Sequence, residues 1–154
     1  LALEFTFSSQ PSKNTDELMH LLNETKNCAQ LQTYTAALAQ QAPLQTFSEY
    51  INSKMNEQNL SAAELIAASQ LQRNYGYQIL NGTRKPSRDK VLALCLALRL
   101  NLPDTGRALT LAQLGQLYPK NRRDSILIFS LNKRLSVLQT NELLLEMKEE
   151  LLST

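Results

Sequence analysis

Helix starts recur along this chain more regularly than any other signal. "TFSE" (46–49) and "SAAE" (61–64) each put a hydroxyl at an N-cap and a glutamate three residues on, and "SVLQ" (136–139) repeats the pattern with glutamine. In such a capping box the cap oxygen takes the N3 amide proton while the N3 side chain returns to the cap N–H, so two otherwise orphaned donors are satisfied. Ser87 heads "RDKVLALCLALRL", "NLPD" (101–104) offers Asn at an N-cap with Asp at N3, and Gln72 begins "QRNYGYQIL", which Asn81-Gly82 stops. Helices of about 9 to 14 residues with connections of two to five fit one architecture, a compact all-α bundle.

The apolar spacing gives each helix a face. Phe47, Tyr50, Ile51 and Met55 share one side of the first helix of this series, and the near-continuous apolar run of "VLALCLALRL" marks a buried central helix. "NLPD" opens a helix expected to reach about Leu117. After Pro119, "RRDSILIFSLN" and "TNELLLEMKEELL" read as two more helices. Leu143 to Leu145 with Leu151 and Leu152 exceed what one buried face needs, so this end either packs on its own domain or forms a dimer. Upstream, "NTDELMHLLNETKN" has an N-cap at Asn14 or Thr15 and a Leu18/Leu21/Leu22 face, and "AQLQTYTAALAQQAP" is helical until Pro43 forbids it. Residues 1–7, "LALEFTF", alternate with period two, as a short strand or extended arm would. The expected organisation is an arm or cloning remnant (1–13), an N-terminal helical extension (14–44), a domain over 45–117 and a C-terminal helical extension (118–154).

Several function classes find no residues here. No apolar run in the 154 residues approaches the ~18 needed to span a bilayer, so no membrane partner is expected. The start lacks the cationic region of a signal peptide and an initiator Met. Two cysteines without a C-x-x-C motif, Cys95 lying in an apolar run, point to a reducing, cytoplasmic setting. His20, the sole histidine, lies off the Leu18/Leu21/Leu22 stripe and reads as exposed; with two scattered thiols it makes no metal site. Four glycines leave no phosphate-cradling loop, and no nucleophile has a base at hand. No enzyme, cofactor or catalytic residue is expected.

The net charge of +2 conceals a segregation. Residues 73–134 carry 12 Lys/Arg against Asp89, Asp104 and Asp124, a surplus of +9, while the remainder carries 4 cations and 11 carboxylates, −7. Four of those cations, Arg84, Lys85, Arg88 and Lys90, fall within seven residues just past Gly82. Such a cation-rich segment is the electrostatic footprint of a polyanion partner.

Residues 62–80 combine two short helices and a break near Gln70-Leu71, with Leu65, Leu71 and Ile79 spaced to share a core. That is the pattern of a helix-turn-helix, in which the first helix braces the second so that its N-terminal side chains project into a major groove. "LSAAELIAASQLQRNYGYQILNGTRKPSRDKVLALCLAL" (60–98) resembles the λ-repressor-like (Cro and XRE-type) helix-turn-helix proteins of bacteria and phages. The likeness runs through Leu60, Glu64, Leu65, Leu71, Arg73, Ile79, Gly82, Arg84, Pro86 and Ser87, and with its flanking helices covers about residues 46–115. "LYPKNRRDSILIFSLN" and "NELLLEM" are similar to a helical extension found in some Gram-positive regulators of this kind. Three positions depart from the pattern. Gln70 stands where Gly is usual and implies strain or another turn shape. Gly76 replaces a β-branched core residue and implies a packing gap. Ala62 replaces a backbone-contacting residue.

The resemblance implies a five-helix domain of this class inside helical extensions, binding double-stranded DNA as a homodimer and regulating transcription in a bacterium or mobile element. Base-contacting positions fall on Gln72, Arg73, Asn74 and Gln78, residue types that suit guanine O6/N7 (Arg) or adenine N6/N7 (Asn, Gln). Backbone-contacting positions fall on Ser61, Tyr77, Asn81, Thr83, Arg84, Lys85 and Arg88, the loop cations gripping phosphate beside the start of the next helix. The rival expectation is a protein-interaction module that keeps the fold without strong DNA binding. Lys120, Arg122 and Arg123 are either salt-bridged to the acidic tail or a further backbone contact. Operator and effector are not legible.

Overall fold

The computed structural model describes residues 15–39 and 45–152, and among these residues all regular structure is helical. The expectation for residues 1–7 lies outside the described residues. The chain divides into two compact units, 1–44 and 45–154.

The described part of the first unit is a pair of helices, α1 (Thr15–Glu24) and α2 (Cys28–Ala39). Leu18 and Leu21 of α1 pack against Tyr34 and Ala37 of α2, whereas Leu22 is exposed. His20 is exposed and pairs with Glu24 at 3.0 Å.

The second unit holds α3 (Phe47–Glu57), α4 (Ala62–Ser69), α5 (Arg73–Leu80), α6 (Arg88–Ala97), α7 (Leu102–Leu111), α8 (Arg122–Asn132) and α9 (Val137–Glu146). The helix starts marked in the sequence are N-caps here, Thr46, Ser61, Gln72, Ser87, Asn101 and Ser136 each accepting the N3 amide proton through their side chains, and Asn121, which the sequence reading did not mark, does the same for α8. Among the described residues, only Ser136 and Gln139 close both arms of a capping box. Glu49 and Glu64 occupy the N3 positions without the return bond, their exposed carboxylates standing by the positive helix end that favours them.

The central helix is α6. Val91, Leu92, Ala93, Leu94 and Cys95 are fully buried, which is why no single face of it looks amphipathic in sequence. It contacts α4, α7, α8 and α9, while α3 bridges α5 and α7. The Cys95 thiol is pushed up to about 12 by burial, so it is an inert core side chain.

Three expectations change. α7 ends at Leu111 rather than near Leu117: Gln113 turns into the left-handed region (φ 60°), and Leu114 and Leu117 pack back on the core. The segment expected as a C-terminal extension shares the core of the domain, since Ile126, Leu127, Leu131, Val137, Leu144 and Leu152 belong to the same buried cluster as Leu65 and Leu92. The gap expected at Gly76 is filled by Ile66.

Candidate nucleic-acid interface

α4 and α5 are joined by three residues, 70–72, and the joint is tight. Gln70 adopts φ 58°, ψ 30°, the left-handed conformation that glycine would take without strain, so of the two outcomes expected there the backbone strain is the one observed. Leu71 is buried, and the Ser69 hydroxyl donates to the Leu65 carbonyl at 2.7 Å. α5 is anchored from below by Ile79 and Leu80, and at its end by Asn52, whose Nδ2 donates to the Leu80 carbonyl at 2.9 Å.

This anchoring leaves the opposite side of α5 in solvent. Gln72, Arg73, Asn74, Tyr77 and Gln78 are all exposed. Gln72 also caps α5, its Oε1 accepting from the Tyr75 amide at 2.9 Å. Arg73 lies over the Tyr77 ring at 5.9 Å. The amide oxygens of both glutamines are therefore engaged, since Gln78 Oε1 accepts from Arg84 Nε at 3.0 Å. Bidentate adenine reading uses that oxygen as an acceptor, so an adenine N6 donor would have to share it, through its second lone pair, with the bond already made.

The loop after α5 folds back on it. The Gln78 carbonyl accepts from Thr83 N (3.0 Å), Arg84 N (3.2 Å) and Thr83 Oγ1 (3.3 Å), and Asn81 Oδ1 accepts from Thr83 Oγ1 at 2.7 Å. Gly82, at φ 83°, makes the reversal, and a β-carbon there would approach Ser48 Oγ to 3.2 Å. The N-terminal turn of α3 thus lies beside the loop, and Thr46, Ser48, Gly82 and Lys85 line a cleft of about 220 Å³ between them. Helix N-termini favour anions.

Charge on this face is one-sided. Arg73, Arg84 and Lys85 make no ion pair with a carboxylate among the described residues. Arg84 and Lys90 both lie over the Tyr75 ring, at 4.9 and 4.8 Å from its centroid. Ser61 is exposed, and its Oγ accepts from the Glu64 amide at 3.1 Å while its O–H can still donate.

Arg88 leaves the expected set. Its guanidinium binds Asp124 through both Nη atoms at 2.9 Å and also reaches the carbonyls of Gly115 and Gln116. It is a clamp between α6 and the start of α8. The Asp124 carboxyl is held below the usual carboxylate range by this bond, helped by the Tyr118 amide, against burial that pushes it up. Sequence reasoning placed Arg88 with its neighbours in the chain, but residues two apart on a helix point about 200° apart. The same geometry could have found Lys90, absent from the expected set, which faces Tyr75 of α5 because Arg88 does not.

Two of the three residues of the second basic cluster, Arg122 and Arg123, are engaged as well. Arg122 pairs with Glu149 at 2.7 Å, and Arg123 grips Asp89 at 2.9 and 3.1 Å and the Glu150 and Leu151 carbonyls. Arg99 and Arg134 donate to each other's carbonyls. Arg88, Arg122 and Arg123 therefore spend their charge on carboxylates that join helices, whereas Arg73, Arg84 and Lys85 on α5 and its loop are among the cations left without an ion pair among the described residues.

Among the described residues no three His, Cys, Asp or Glu gather as a metal site, and no helix is long and apolar enough to cross a membrane. Neither family models, nor curated proteins, nor solved structures give a match to this chain.

Proposed function

We propose that residues 45–152 form a λ-repressor-like helix-turn-helix domain that binds double-stranded DNA in a sequence-specific way and regulates transcription. In this reading α4 braces α5, and α5 enters the major groove with Arg73, Asn74 and Gln78 towards base edges. Asn81, Thr83, Arg84 and Lys85 follow the sugar-phosphate backbone, joined by Lys90 and by the start of α3. One observation carries the proposal: the polar, exposed side of α5 adjoins cations that no carboxylate neutralises among the described residues.

A dimer spanning two half-sites about one helical turn apart is the natural working form of such a domain. Leu138 and Leu145, seven residues apart on α9, are 54% and 68% exposed, and Phe129, Met147 and Leu151 are exposed nearby in the sequence. These apolar side chains support self-association, and they also favour the second reading, a module whose partner is another protein.

Titrating the chain with a random-sequence duplex at two salt concentrations tests the proposal. Phosphate-dominated binding falls steeply as salt rises. Selection from a random oligonucleotide pool then gives the site, expected as a palindrome. Arg73→Ala should relax preference at one base pair, and Lys85→Ala should weaken all duplexes alike while reducing the salt slope by about 1. A duplex affinity indifferent to salt sinks the DNA-binding reading and leaves the protein-partner one.

A further inference from the structure

Arg84 belongs by sequence to the phosphate-gripping loop, yet its guanidinium is turned towards the reading helix. Nε donates to Gln78 Oε1 at 3.0 Å, and the Tyr75 ring lies under the guanidinium at 4.9 Å. The Arg84 amide donates to the Gln78 carbonyl at 3.2 Å, so Gln78 is tied to the loop through main chain and side chain together. Lys90 at 4.8 Å shares the ring. The chemistry of a primary amide then fixes what Gln78 presents. With its oxygen bonded to a cationic donor of the loop, the uncommitted end of the side chain is the –NH2 group, which has two donors and no acceptor.

We propose that Arg84 is a positioning residue for base readout: it engages the Gln78 amide oxygen and leaves the donor end uncommitted, so that Gln78 selects guanine rather than adenine. Guanine shows two acceptors, O6 and N7, to the major groove, whereas adenine pairs its N7 acceptor with an N6 donor that would have to share the amide oxygen with Arg84. The inference rests on the proposed DNA-binding reading and adds to it the base read by one residue and the device that sets it. Arg84 is then a determinant of sequence preference and not only a source of affinity.

The test measures binding of the full chain to a panel of duplexes altered one base pair at a time. The pair read by Gln78 is identified as the one whose preference Gln78→Ala abolishes. The wild-type chain is expected to favour guanine there over adenine by about tenfold or more. Arg84→Lys keeps the charge but not the Nε fork, so it should retain the salt slope while moving this preference towards adenine. The double variant Arg84→Lys/Gln78→Ala should behave at that pair as Gln78→Ala does. Without DNA, Gln78 side-chain amide relaxation should show an ordered –NH2 group in the wild type and a mobile one in Arg84→Lys. Wild-type preference for adenine at that pair, or an unchanged preference and unchanged amide order in Arg84→Lys, overturns the inference alone. A wild-type chain that binds no duplex in a salt-dependent way overturns the reading beneath it as well.

Discussion

Ile66 fills the space that a β-carbon on Gly76 would need. Its Cγ1, Cγ2 and Cδ1 atoms would stand 2.7, 2.9 and 3.0 Å from that carbon, so α4 and α5 approach more closely than two side chains there would allow. A β-branched side chain in a helix has essentially one rotamer, which prevents Ile66 from swinging aside. Gly76→Ala gains about 1 kcal/mol of helix preference but forces an overpacked contact worth about 1–3 kcal/mol, so a net loss of stability is expected. In an Ile66→Ala background the same change should become neutral or stabilising. Urea unfolding of the four proteins of this cycle checks it; additive effects would mean that the two residues do not share this space.

Gln70 makes the turn in a conformation that penalises its β-carbon, at φ 58°. Gln70→Gly should therefore stabilise the domain by about 0.5–1 kcal/mol, the relief of the left-handed strain less the entropy glycine adds to the unfolded chain. Thermal unfolding reads this directly. An equal or lower midpoint would show that the glutamine side chain contributes more than its backbone strain costs.

Arg88 and Asp124 make a largely buried pair, with side chains 28% and 9% exposed. Arg88→Ala should cost about 3 kcal/mol, because it strands a buried carboxylate. Under conditions where the variant is folded, its salt slope on duplex DNA should equal that of the wild type, whereas Lys85→Ala lowers it. The pH dependence follows from the depressed folded-state pKa of Asp124. The pair's stabilisation is complete above the unfolded carboxyl value of about 4 and is lost as pH falls through the lower folded value. Asp124→Asn should be less stable than the wild type at pH 7 and should lose less on further acidification; parallel acid-unfolding curves would contradict that.

Leu145 is the most exposed large apolar residue of α9. If the helix serves a two-fold interface, Leu145→Glu should shift sedimentation towards the monomer and reduce binding to a two-half-site duplex while sparing a single half-site. Unchanged sedimentation would assign the apolar surface elsewhere.

The sequence by itself determined the helices and where most of them begin, because caps are local: Thr46, Ser61, Ser87, Asn101 and Ser136 each bond an amide three residues away, whatever the rest of the chain does. It also determined the exposed set on α5, since Leu71, Ile79 and Leu80 dictate by helical period which side turns inward. What only the tertiary structure decided was the use of each polar group. Arg88 meets a carboxylate 36 residues away, Arg123 one 34 residues away, and Arg84 meets Gln78, and no local pattern announces such pairs. Core membership beyond residue 117 was hidden for the same reason, since Leu127, Val137 and Leu144 reveal which core they fill only when the helices pack. Capping and periodicity act over a few residues, whereas ion pairs and core membership depend on distances that exist only in the folded chain.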